Sequence, residues 1–182
     1  LERLAEDVPV VLLGRHDQAR NYDTVTNDDR AGVALAMNHL LTLGHTRIAH
    51  LTVRTAPDVP ESRPPHAIRE ATYLELMADQ GYVPHIVICE ATEHSAYTAT
   101  LGLLDQEEPP TAVLAGNDTL AIGALRALAE RGANVMLNGF GDKEEIETLS
   151  AKRAAELGVK VAYSNADISD PAACESQFRN AF

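Results

Sequence analysis

The sequence predicts an α/β domain in which helices cover both faces of a parallel sheet. From about residue 27 onward, short apolar segments alternate with longer segments whose apolar residues recur at helical spacing. The apolar residues are mostly aliphatic, since aromatic residues make up only 4% of the chain and Trp is absent. Gly or Pro follows most of the segments, where an element must end. Together these features favour strands buried on both faces.

The first predicted elements are a helix over 28–43 and a strand over 47–53. Asp28 can cap the helix, and Gly44 can end it in a left-handed conformation. The prolines at 57, 60, 64 and 65 predict a loop after the strand.

The middle of the chain continues the alternation. A helix is predicted over 67–80, where apolar or β-branched residues recur every four positions. A strand over 85–89, a helix over 95–104 and a strand over 111–115 follow, with a turn at Pro109. The next helix extends to Gly132, with Asp118 as a candidate N-cap. Its expected apolar face consists of Ala121, Ile122, Leu125, Leu128 and Ala129.

The last third adds strands over 134–137 and 159–163, a helix over 143–157, and a final helix opening at Asp170-Pro171. Right-handed crossovers predict a three-layer domain with one five-stranded parallel sheet in the order 2-1-3-4-5, flavodoxin-like or Rossmann-like. Residues 1–26 do not fit the repeat. They are expected to form an N-terminal strand arm around residues 8–13, beside a single domain over 27–182.

Composition excludes several function classes. The net charge of −12 argues against a nucleic-acid partner, which requires a basic patch. No apolar run reaches the ~20 residues of a membrane span. Cys89 and Cys174 are far apart in sequence, so two reduced cysteines in a cytoplasmic protein are expected. The histidines do not form the spacings of a metal site, and His45, His50 and Ser95 are interpreted as structural residues.

Four segments in order resemble the effector-sensing domain of the LacI/GalR family of bacterial transcription regulators. They are Val-Pro-Val-Val-Leu-Leu-Gly-Arg at 8–15 with Val-Thr-Asn-Asp-Asp at 25–29, the His-Leu-Leu-x-Leu-Gly-His-x-Arg-Ile-Ala pattern at 39–49, Arg-Glu-Ala-Thr-Tyr at 69–73 leading to Gly-Tyr-Val-Pro at 81–84, and Pro-Pro-Thr-Ala-Val-Leu-Ala-Gly-Asn-Asp-Thr-Leu-Ala-Ile-Gly-Ala at 109–124. The resemblance covers roughly residues 4–132.

This resemblance implies a non-enzymatic domain that binds a small-molecule effector, usually a sugar or nucleobase, in a cleft between two lobes. It assigns ligand contacts to Arg69, to the pair Asn117 and Asp118, and to Asp142, which lies one place after Gly141, where the family has its aspartate. It also implies a homodimer. Because no helix-turn-helix head is present, no direct DNA binding is expected. No cofactor, metal or membrane partner is predicted.

A structural interpretation of the same residues remains open. Asp118 can serve as an N-cap, Asn117 as a turn residue and Arg69 as a solvated helix residue. In that interpretation the chain has a complete fold and no ligand function.

Residues 123–182 resemble a second family, the short-chain dehydrogenases of the 3-hydroxybutyrate dehydrogenase type. The resemblance divides the domain at 27–132 and 133–182 and suggests an engineered chimera joined within the helix ending at Gly132. Asp167 matches the position that contacts adenine in that family. The glycine-rich turn is degraded, since only Gly116 and Gly123 remain, so a vestigial NAD-binding fragment is the third alternative.

Overall fold

The computed structural model describes residues 2–14, 16–17, 21–54, 62–138 and 143–164. By its internal contacts the chain divides into two units, residues 1–124 and residues 125–182. The helices are α1 (Glu2–Ala5), α2 (Asp29–Thr42), α3 (Pro65–Asp79), α4 (Glu93–Leu104), α5 (Asp118–Glu130) and α6 (Lys143–Leu157). The strands are β1 (Val11–Leu13), β2 (His16–Asp17), β3 (Asp23–Val25), β4 (Ile48–Val53), β5 (Ser62–Arg63), β6 (His85–Cys89), β7 (Ala112–Ala115), β8 (Val135–Asn138) and β9 (Val161–Ser164).

The central sheet of the first unit has three parallel strands in the order β6-β4-β7. Leu51 of β4 pairs with Val87 on one side and with Ala115 on the other. In the second unit β8 pairs in parallel with β9. The predicted order of the first three strands, and the pairing of the last two, are therefore confirmed.

The predicted α/β class, with parallel strands and covering helices, is confirmed. Within the described residues, the five strands predicted for one sheet form a three-stranded sheet in the first unit and a two-stranded sheet in the second. Each unit also has its own apolar cluster. In the second unit Ala129 and Val159 are buried and Val161 packs against them.

The three-layer arrangement is confirmed in the first unit, where alternate side chains of β4 face opposite layers. Ile48 packs in a cluster with α2 and α3, whose buried members are Val33, Met37, Tyr73 and Met77. Ala49 and Leu51 pack on the other face against α4 and α5, through Ala96, Leu103, Leu120 and Ala124. Tyr73 fastens α3 to the sheet, because its hydroxyl donates to the carbonyl of Ile48 at 2.7 Å.

The N-terminal arm is a small parallel pair of strands. Leu12 of β1 pairs with Thr24 of β3. Leu13 is 70% exposed and Val25 is 59% exposed, so this pair is only weakly covered. The predicted strand over 8–13 is confirmed in its last three residues.

The starts of α3, α4 and α5 differ from the prediction, and α4 begins at Glu93 rather than at Ser95. Pro65 begins α3 rather than belonging to a loop. Its fixed φ and missing N–H suit the first helical position. In α5, Asn117 is the N-cap, since its side-chain oxygen accepts the Leu120 N–H at 2.9 Å, and Asp118 is the first helical residue.

The apolar face predicted for α5 is partly wrong. Ala121 is exposed, and Ile122 and Leu125 are 52% and 37% exposed, whereas the buried residues are Leu120, Gly123, Ala124, Ala127 and Ala129. Gly123 explains this orientation, because a Cβ there would meet the Glu93 carbonyl and lie 2.8 Å from the Ala96 Cβ of α4. A close approach of two backbones therefore sets the buried face. The final helix predicted from Asp170 lies outside the described residues.

Candidate ligand-binding site

Arg69 of α3 is fixed at the carboxyl edge of the central sheet. Its Nε donates to Asp29 Oδ1 at 2.7 Å, and its Nη2 lies 2.6 Å from the same oxygen. Its Nη1 donates to the carbonyl of Gly116, directly after β7. The Asp29 side chain is 4% exposed and the Arg69 side chain 26% exposed. The guanidinium therefore joins α2, α3 and the end of β7 while one side of it reaches solvent.

Gly116 is required by the close approach of β4. Its N–H donates to the Leu51 carbonyl at 2.8 Å. A Cβ at this position would lie 2.9 Å from that carbonyl oxygen and 3.6 Å from His50 Cε1. Only glycine fits here without displacing the backbone. The Gly116 carbonyl, which accepts a hydrogen bond from Arg69, therefore lies next to the polar residues of β4.

Two polar residues lie on the face of β4 that packs against α3. His50 is 1% exposed and Thr52 is 0% exposed. His50 Nδ1 lies 3.0 Å from the Leu114 carbonyl, so Nδ1 carries the ring proton and donates it. Among the described residues, His50 Nε2 and Thr52 Oγ1 are buried and have no hydrogen-bond partner. Burial lowers the pKa of His50, so the ring is neutral at neutral pH.

His66 adds a third buried polar atom, one helical turn before Arg69. Its Nδ1 also has no partner within the part of the chain that the structure describes. Burial lowers the pKa of His66, and the positive charge of Arg69 lowers it further, against the opposing effect of Asp29. A neutral imidazole can donate or accept, whereas Arg69 only donates and Asp29 as a carboxylate only accepts. The site therefore offers all three kinds of hydrogen-bonding group.

The other predicted contacts stay predictions. Asn117 follows Gly116, so it lies at the same edge of the sheet as Arg69, but its side chain caps α5. Asp118 is exposed in the first turn of α5, where a carboxylate suits the helix dipole. Asn117 therefore has the N-cap role expected of Asp118, and Asp118 is a helical residue. Asp142 and Asp167 lie outside the described residues.

The remaining candidates have local structural contacts. His45 Nδ1 lies 3.0 Å from Thr111 Oγ1, before the start of β7. Ser95 Oγ accepts the Glu90 N–H at 3.0 Å. Burial raises the pKa of the Cys89 thiol, which disfavours a reactive thiolate. Within the described ranges no group of three His, Cys, Asp or Glu side chains could hold a metal ion, and no helix there is long and apolar enough to cross a membrane.

Sequence reasoning missed Asp29, Thr52, His66 and Gly116 as parts of this site. A signal for Asp29 was present, because two successive aspartates stand at the start of α2 and an N-cap needs only one. Asp28 is that cap and accepts the Ala31 N–H at 2.9 Å. The second carboxylate is then buried against α3, a placement that requires a cationic partner.

Comparison with known proteins agrees with the fold. A family model described as a periplasmic binding protein-like domain matches residues 37–155. The chain belongs to this family. The LacI-type regulator structure from Rhodococcus matches with a TM-score of 0.64 and 26% identity, covering 88% of this chain and 68% of that one. A LacI-family regulator from Corynebacterium glutamicum is 35% identical with a TM-score of 0.53, over 64% of this chain and 47% of that one.

Curated relatives are transcriptional regulators rather than enzymes, as predicted. The regulator MalR of Streptomyces coelicolor is 34% identical over 142 residues, which are 74% of this chain and 39% of MalR. The lactose operon repressor of Escherichia coli is 28% identical over 80% of this chain and 40% of the repressor. The chain thus spans about two fifths of the length of these relatives.

The regulator match extends beyond the predicted limit of residue 132. The family model passes the proposed junction and continues to residue 155. None of the relatives named above is a dehydrogenase, so the comparisons give no support to the second resemblance or to a chimera.

Proposed function

We propose that this chain is the effector-sensing part of a transcriptional regulator and binds a sugar-like molecule through Arg69. The observation that carries the proposal is the fixed and partly exposed guanidinium at the carboxyl ends of β4 and β7. Ligands of open parallel sheets bind at that edge. Arg69 is also the residue that the regulator resemblance marks as a ligand contact.

The surroundings of Arg69 support a hydroxyl-rich ligand. Hydroxyl groups both donate and accept, and they are matched by the mixture of Asp29, Arg69 and neutral His66. A related structure, 29% identical with a TM-score of 0.56 over 68% of this chain, is titled a sugar-binding LacI-family regulator from Escherichia coli complexed with phosphate. The sugar-binding description of that relative supports the choice of sugars as first probes.

The test is isothermal titration of the chain with ribose, galactose, lactose and maltose, supported by thermal shift. Saturable binding of at least one sugar is expected. Arg69→Lys keeps the charge against Asp29 but removes the planar fork, so it should weaken binding about ten-fold or more. The matched control is Arg30→Lys, because Arg30 also joins α2 to α3, through Glu75 at 2.7 Å, but is exposed. Equal loss in both variants, or binding of none of the sugars, would contradict the proposal.

We infer that the protein is cytoplasmic and forms a homodimer, as its regulator relatives suggest. Ile122 of α5 is a suitable residue for testing the dimer, because its large apolar side chain is 52% exposed. Sedimentation velocity should show a dimer that Ile122→Asp dissociates. A monomer at micromolar concentration would refute the inference. DNA binding by the isolated chain is not expected, and a gel-shift assay with bacterial operator DNA checks this.

A further inference from the structure

We propose that Asp29 sets the charge preference of the site, so that the site takes uncharged hydroxyl-bearing ligands and rejects phosphorylated ones. The inference rests on the proposed function, because it assumes that the ligand contacts Arg69. It adds a specificity-determining residue that does not itself need to touch the ligand.

The charge of Arg69 is already compensated inside the protein. Asp29 lies at 2.6 Å and 2.7 Å from two guanidinium nitrogens, and its side chain is only 4% exposed. Screening by water is weak at such a position, so the carboxylate cancels most of the field that a bound anion would feel. A phosphate that approached the exposed side of Arg69 would lie within several ångströms of this carboxylate and be repelled by it.

Hydrogen bonding, in contrast, remains available to a neutral ligand. A guanidinium has five N–H groups. Contacts with Asp29 and Gly116 use three of them, so within the described residues two remain to donate to hydroxyl oxygens. The unpartnered Nδ1 of His66 lies one turn away.

No other buried cation among the described residues supplies the positive charge that Asp29 compensates at Arg69. His50 and His66 are neutral at neutral pH, since burial lowers the pKa of each ring and the Arg69 charge lowers it further. Arg54 follows β4 at the same edge but is exposed, so solvent and salt screen its charge. The balance between the charges of Arg69 and Asp29 should therefore decide whether the site accepts or rejects a phosphate group.

In the experiment, inorganic phosphate is titrated into the wild type and into Asp29→Asn. Asparagine keeps an acceptor for Arg69 but removes the negative charge. Asp28→Asn is the matched control, because it removes a charge from the neighbouring residue while asparagine still caps α2. Folding of each variant is checked by circular dichroism, and Asp29→Ser replaces Asp29→Asn if the latter does not fold.

The wild type should show no saturable phosphate binding, and Asp29→Asn should gain phosphate affinity by about ten-fold or more. Asp28→Asn should behave as the wild type. An equal gain in both variants, or no gain in Asp29→Asn, would overturn the inference. So would wild-type phosphate binding that disappears in Arg54→Gln, because Arg54 would then decide the preference. The inference is judged by phosphate binding alone. Failure of every neutral sugar to bind would instead count against the proposed function.

Discussion

Arg69 and Asp29 should contribute unequally to stability, although they form one ion pair. Arg69→Met leaves the Asp29 carboxylate buried at 4% exposure without its cation. Removing one partner of a buried pair costs about 3–5 kcal/mol. Because Arg69 is 26% exposed and water can enter in its place, we expect about 2–4 kcal/mol here.

Asp29→Asn should cost less, about 1 kcal/mol, because asparagine still accepts a hydrogen bond and the guanidinium retains access to water. The double variant should then be no less stable than Arg69→Met alone, which gives a coupling of about 1 kcal/mol or more. In contrast, Arg30→Met should change stability little, since that pair is exposed.

The measurement is urea unfolding followed by circular dichroism, with the slope compared across variants. The two units can unfold in separate transitions, so the transition that shifts with Tyr73→Phe identifies the first unit. Equal costs for Arg69→Met and Asp29→Asn, or additive costs in the double variant, would refute the buried-pair reasoning.

Three further substitutions test the packing and the polar residues of the core. Gly123→Ala should lower the free energy of unfolding by about 1–3 kcal/mol, because the new Cβ meets α4. Gly102→Ala is the control, because Gly102 is also helical but has open space around it, and it should be neutral or stabilising in thermal unfolding. Thr52→Val should stabilise by up to about 1 kcal/mol because it removes a hydroxyl without a partner, whereas Thr100→Val should not, since that hydroxyl donates to a carbonyl at 2.8 Å. The wild type should lose stability as the pH falls below about 6.5. The reason is that folding lowers the pKa of His50, so the folded state binds fewer protons than the unfolded state. His50→Leu should flatten this pH dependence of the melting temperature.

The local elements were predictable because their signals are local. Asp28, Gly44 and the segment over 85–89 specify a cap, a helix end and a strand through a few neighbouring residues. The buried face of α5 was not predictable in the same way. Its orientation depends on Gly123 meeting α4, a contact between segments that periodicity does not detect.

At the candidate site, sequence reasoning reached Arg69, whose ligand contact stays a prediction, but not the residues that surround it. The resemblance identified Arg69, and the sheet topology identified the edge where it lies. Asp29 and Gly116, which hold it, are 40 and 47 residues away along the chain. His50 and Thr52 interrupt an otherwise apolar strand, and nothing in the sequence shows that His50 Nε2 and Thr52 Oγ1 have no hydrogen-bond partner among the described residues. Only the packed structure reveals that.

The central claim is that Arg69 is the ligand contact of a sensing domain. It is tested most directly by following the Arg69 Nε–H resonance in a nitrogen-15 correlation spectrum during titration with ribose, galactose, lactose and maltose. The account predicts a resonance that is observable without ligand, because Asp29 fixes it, and that shifts saturably with one of the sugars. A resonance that stays in place while another part of the described chain responds would contradict the claim.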